Sequence, residues 1–131
     1  MADCPSTAAW IDKAEEDARA ARALSSMDQS AFRVTITFHC QQAAEKYLKA
    51  CLVAARQDFP KTHDFEELIA LCCRISPSFA DLSGAGQRLQ PFAVIVRYPS
   101  AVPDSDEVRR ALEDMETIRR TCRSFLELAE A

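Results

Sequence analysis

The residues best suited to chemistry in this chain fall on one stretch: Thr35, His39, Gln42, Lys46 and Lys49. On a helix turning about 100° per residue they share roughly a quarter-turn sector. Glu45 flanks them and stands N-terminal to Lys49 at the spacing of an i,i+4 ion pair. Lysines act as compact point charges toward phosphate, while histidine and glutamine supply hydrogen-bonding groups. The strip therefore suits a groove that holds phosphate. The same pattern also describes a polar face that merely meets water.

A second group is His63-Asp64, in KTHDFEEL. It stands where a helix begins, so it either caps that helix or, with Lys61, receives an anion at exposed backbone N–H groups. A third is Arg97-Tyr98, after an apolar run and before Pro99. Arg97 there either bonds exposed helix carbonyls or reaches into a cleft. With two histidines in the chain, and no cysteine or acidic residue at ligand spacing from either, no metal is expected, nor any other cofactor. There is no glycine-rich phosphate loop, Ser/His/Asp constellation or Cys/His nucleophile signature.

These residues are positioned by five segments that read as helices. The first, about Ser6 to Ser26, carries Trp10, Ala14, Ala18, Ala21 and Leu24 in one apolar stripe. The second, about Ser30 to Arg56, has Phe32, Ile36, Cys40, Ala43, Tyr47, Ala50 and Ala54 on one face. Val34, Phe38 and Leu52 form a separate strip, so this helix is predicted to have neighbours on both sides. Phe59-Pro60 closes that region. Thr62 or Asp64 caps a short third helix carrying Phe65, Leu68, Ile69 and Cys72, with Glu66 and Glu67 in its first turn. Ser76-Pro77 opens a fourth element, predicted to break around Gly84 to Gly86 and to resume as a helix over Leu89 to Val96. Asp104 and Glu107 have capping-box spacing for the last helix. Its stripe is Val108, Leu112, Met115, Ile118, Cys122, Phe125 and Ala129. Arg109, Arg110, Glu113, Glu116, Arg120 and Arg123 are assigned to its outside, Glu116 and Arg120 forming an i,i+4 pair.

The expected fold is all-α: a single domain over residues 1–131, an antiparallel up-and-down bundle of four to five helices. The 131 residues allow one real core, and only two glycines disfavour a sheet protein with its many turns. A net charge of −4 disfavours indiscriminate binding to nucleic acid, though not a local basic stripe. No run reaches the ~18 apolar residues of a membrane span. MADCPSTAAW lacks the pattern of a signal peptide, so a cytoplasmic location is expected. Cys4, Cys40, Cys51, Cys72, Cys73 and Cys122 form no CxxC pair and read as buried free thiols of a reducing compartment.

FHCQQAAEKYLKACLVA, residues 38–54, resembles the second-helix signature of HEPN domains (higher eukaryotes and prokaryotes nucleotide-binding), of the small stand-alone prokaryotic type. FPKTHDFEELIALC, residues 59–72, is similar to the family's next segment. RYP, residues 97–99, and the helix with Trp10 and Asp17 fit its remaining landmarks. The resemblance implies a homodimeric five-helix bundle, often paired with a minimal nucleotidyltransferase in toxin–antitoxin-like modules. His39, Gln42, Glu45, Lys46, Lys49, His63, Asp64, Arg97 and Tyr98 match the family's recurrent polar positions and are the implied ligand-binding set. Several branches are metal-independent ribonucleases with an Arg-x(4–6)-His motif before the last helix. Here Arg97 is followed after four residues by Val102, where histidine is needed, and no histidine comes later. Arg56 and His63 match the spacing, but at another place in the fold. The expectation is thus a non-catalytic nucleotide- or RNA-binding module. The alternatives are a ribonuclease toxin using His63 or His39 with Arg97, and a purely structural dimer.

Overall fold

Helix α1, Thr7–Asp28, starts where Ser6 turns its hydroxyl back to accept from the Ala9 N–H at 3.1 Å. The computed structural model describes residues 5–128. Cys4 and Ala129, both given roles by the sequence pattern, lie outside them. Ala14, Ala18 and Ala21 are fully buried, and their small side chains bring α1 close against helix α2, Arg33–Ala54. A 3₁₀ turn over Gln29–Ala31, capped by Asp28, joins the two.

The sequence places α2 at the centre, and it packs against α1, against the short third helix and against the last helix. Ile36, Cys40, Ala43, Tyr47 and Ala50 are buried on one side, Ala44, Leu48 and Leu52 on the other. Ala54 is exposed, contrary to its place in the predicted stripe, because the helix ends there. Phe38 and Val34 are half-buried. Arg56 stops the helix by taking a left-handed φ of 57°, while the Gln57 N–H reaches back to the Leu52 carbonyl at 2.9 Å.

Asp64, one of two candidate caps, accepts from the Glu66 N–H at 2.9 Å and opens α3, Phe65–Ile75. Ser76 caps a 3₁₀ segment, Pro77–Leu82, which runs into α4, Ser83–Leu89. Two expectations fail here. The glycines do not interrupt the element but lie within its α-helical turns. A Cβ on Gly86 would stand 2.6 Å from Ile69 Cδ1 and 3.1 Å from Phe65 Cβ, so this glycine allows α4 to approach α3. The run after Leu89 is not a resumed α-helix. It forms two 3₁₀ turns, Gln90–Ala93 and Ile95–Arg97, with Pro91 in the first. Val94 and Val96 are consequently exposed.

The last helix, α5, spans Ser105–Phe125, and Asp104 and Glu107 form the reciprocal capping box that their spacing predicts. Val108, Met115, Ile118 and Cys122 are buried against α2. The result is an all-α bundle with no strand among the described residues. No described helix is long and apolar enough to cross a membrane. Among the cysteines, Cys40, Cys51, Cys72 and Cys122 are buried free thiols, but Cys73 is exposed because it points away from the Leu68–Cys72 face of α3.

Candidate functional site

Apart from Thr35, which is exposed, the polar strip on α2 is neither a solvated face nor a row of free lysines. The structure folds it into two clusters. In the first, Asp17 of α1 receives both other members: His39 Nδ1 lies 2.8 Å from one carboxylate oxygen and Lys46 Nζ 2.5 Å from the other. All three side chains remain partly exposed.

The second cluster centres on Glu45, whose side chain is 5% exposed. Gln41 Nε2 donates to its Oε1 at 2.9 Å, and Lys49 Nζ donates to Oε2 at 2.9 Å. Gln42 extends the chain by donating to the Gln41 side-chain oxygen at 2.7 Å. His63 Nδ1 reaches the same Glu45 Oε2 from the loop before α3, at 2.9 Å. Burial alone pushes the Glu45 carboxyl up. The hydrogen bonds from Lys49, His63 and Gln41, with the Lys49 charge, outweigh it and hold the group below the ordinary glutamate value. An ionised carboxylate only accepts, so Nδ1 of His63 carries the proton and Nε2 is left for an outside partner. The imidazole is 74% exposed, so that outside face meets solvent.

The loop bearing His63 is itself clamped. Gln90 of the 3₁₀ turn donates to the His63 carbonyl at 3.2 Å and accepts from the Phe65 N–H at 2.7 Å. Trp10 joins from α1, with Lys49 Nζ 5.6 Å from its ring centroid. The indole Nε1 is shielded from solvent without a hydrogen-bond partner.

Of the sequence candidates, Glu45, Lys49, His63 and, through Gln41, Gln42 come together. His39 and Lys46 form the adjacent cluster. Asp64 is occupied as the α3 cap. Arg97 and Tyr98 are exposed at the end of the second 3₁₀ turn, and Arg97 makes no side-chain hydrogen bond or ion pair among the described residues. Val102, in the position where the ribonuclease motif needs histidine, is 53% exposed. No three His, Cys, Asp or Glu side chains among the described residues are grouped to hold a metal.

Sequence reasoning missed several participants. Gln41 is fully buried, and its position three residues before Ala44 and seven before Leu48 is the signal that it shares their inward face. Arg119 is likewise buried between the helical positions of Met115 and Cys122. It turns inward to Glu15 at 3.2 Å, and so, at 2.8 Å, does Arg123, which the sequence pattern assigns to the outside of α5. Glu15 also accepts a very short hydrogen bond from Tyr47. Burial raises the Glu15 carboxyl, but Tyr47 and the two arginines more than offset it and lower the group overall. A separate cleft of about 450 Å³ between α4 and α5 holds none of the predicted site residues; Arg88 there grips Asp114 through two 2.9 Å bonds.

Among known proteins, residues 7–125 match the family model described as HEPN domain. No curated protein and no solved structure matches the chain.

Proposed function

The chain belongs to the HEPN domain family, and from that premise we propose that it is a nucleotide- or RNA-binding module whose ligand contact is His63. One observation carries this reading: a buried, ionised Glu45 orients an imidazole that is otherwise turned to solvent. A donor or acceptor held in advance loses little freedom on binding, so more of its interaction energy appears as affinity. Gln41, Gln42, Lys49 and Gln90 act behind it, fixing the carboxylate and the loop. Lys61, two residues from His63, and Arg97 are both exposed cationic groups available to a phosphate. His39, Lys46 and Asp17 continue the polar edge.

Calorimetry on the intact protein with mononucleotides and short single-stranded RNA tests the reading. His63→Ala is expected to weaken binding about tenfold or more, the value of a hydrogen bond to a charged group, with helicity unchanged. No measurable affinity for either ligand class in the wild-type protein ends it. Lys49→Ala is a poor probe, because it leaves the buried Glu45 short of its cation and disturbs the fold as well. In this reading the module is a homodimer working with a minimal nucleotidyltransferase in a toxin–antitoxin-like pair. The resemblance supports both partners; solution mass and co-purification with such an enzyme test them.

The Glu45–His63 pair also favours a second reading, metal-independent RNA cleavage. A histidine with Nδ1 tied to a carboxylate presents Nε2 as a general base. The absence of histidine at Val102 weighs against it. Cleavage of RNA in the presence of a chelator, lost in His63→Ala, is the result that replaces the first reading with this one.

A further inference from the structure

Between α1 and α5, four arginines share two carboxylates beside a groove that two of them, Arg22 and Arg119, line. Glu116 sits within 3.3 Å of Arg22, 3.0 Å of Arg119 and 3.4 Å of Arg120. Glu15 takes Arg119 and Arg123. The four guanidiniums outnumber the two carboxylates they share, while the groove lining itself sets Arg22 and Arg119 against Glu113 and Glu116. Arg119 is 2% exposed, and its Nη2 is removed from solvent with no hydrogen-bond partner. Such a donor costs free energy until an acceptor reaches it. Arg119 lines a groove of about 660 Å³ together with Arg22, Ser25, Ser26 and Glu116; Glu113, also in the lining, is exposed.

We propose that this groove is an oxyanion site for a phosphate group, and that Glu116 is its built-in occupant. The Glu116 carboxylate lies where three guanidiniums converge, the geometry in which arginine grips carboxylate or phosphate. Its side chain is 26% exposed and can swing toward solvent. A phosphate entering in its place brings more charge and a third acceptor oxygen to the guanidiniums that now hold Glu116. Ser25, whose hydroxyl accepts from Gln29 Nε2 at 3.2 Å, and Ser26 also line the groove. The site shares no residue with the Glu45–His63 cluster and does not depend on the function proposed for it.

The test follows the arginine Nε–Hε resonances of the full chain at low ionic strength during titration with inorganic phosphate, and separately with a short single-stranded RNA. Saturable shifts at Arg22, Arg119 and Arg120 are expected, unchanged in His63→Ala. Glu116→Gln removes the competing charge and is expected to tighten binding about fivefold. The double variant Arg22→Gln/Arg120→Gln, changed only at exposed or half-exposed side chains, is expected to lose it. Shifts with RNA at lower concentration than with phosphate assign the groove to backbone phosphates; shifts with phosphate alone assign it to a small free oxyanion. Absence of saturable shifts in both wild type and Glu116→Gln, or binding that survives in the double variant, overturns the proposal.

Discussion

Glu45 illustrates how much at the residue scale depends on satisfying one buried group. Its two oxygens receive Gln41, Lys49 and His63, and this is why a carboxylate is tolerated almost out of water. The same bonding ties its ionisation to the fold. Glu45 and Glu15 are both held below the ordinary glutamate value in the folded state. Each therefore contributes stability that is fully present above the unfolded value of about 4.3 and is lost as pH falls through the lower folded value. Urea unfolding measured from neutral pH downward is expected to show stability holding to about pH 5 and dropping below about pH 4. Glu45→Gln, which cannot titrate, is expected to start less stable and to show a shallower acid loss. An equally steep acid loss in that variant removes Glu45 from the account. Spacing alone pairs Glu45 with Lys49, and the structure contains that pair. The third partner, His63, stands 18 residues further along the chain, beyond any local pattern.

At the scale of elements, local signals located most boundaries. Asp64 and the Asp104–Glu107 box cap the helices they precede, and Ser6 and Ser76 cap theirs. The segment from Pro77 to Arg97 departs most from expectation, because its two glycines answer different demands. A Cβ added at Gly84 would meet only the Arg88 guanidinium, at 3.3 Å from Nη1. That nitrogen is the one its two bonds to Asp114 leave free, so a shift of a few tenths of an ångström suffices. Gly86 instead faces α3 side chains packed in the core. Gly84→Ala is thus expected to stabilise the protein by about 0.5 kcal/mol through a less flexible unfolded chain. Gly86→Ala is expected to cost about 1–3 kcal/mol by pushing α4 off Ile69 and Phe65. Chemical denaturation of the two single variants checks both signs. Equal effects contradict this division of roles. Glycine read in sequence is a breaker in general; only the packing of α4 on α3 turns Gly86 into a contact.

For the molecule as a whole, the central helix decides what is reachable. α2 packs on α1, α3 and α5, so Cys40, Cys51, Cys72 and Cys122 close into the core along with it. Burial, together with the charge of Asp114, pushes the Cys40 thiol up to about 12, and burial raises Cys72 and Cys122 as well. Thiolate is the reactive form. Among the five described cysteines, a thiol reagent added to the native protein near neutral pH is expected to label Cys73 fast and the other four only on unfolding. Mass spectrometry of the labelled peptides reads this directly; prompt labelling of Cys51 or Cys122 means that the bundle opens far more readily than its packing implies.

The all-α class, a count of four to five helices and the centrality of α2 were already legible in the chain alone, because apolar periodicity, caps and prolines act over a few residues. The family motif likewise lies in contiguous segments, 38–54 and 59–72. Tertiary structure decided the rest: which polar residues of α2 face inward, that Lys46 and Lys49 are already paired, and that Gln41, Glu15 and Arg119 belong to buried networks. The reason is physical. A buried charged side chain needs all its partners; some stand one turn away on the same helix, as Gln41 and Lys49 do for Glu45, but the others come from 18 to 108 positions away.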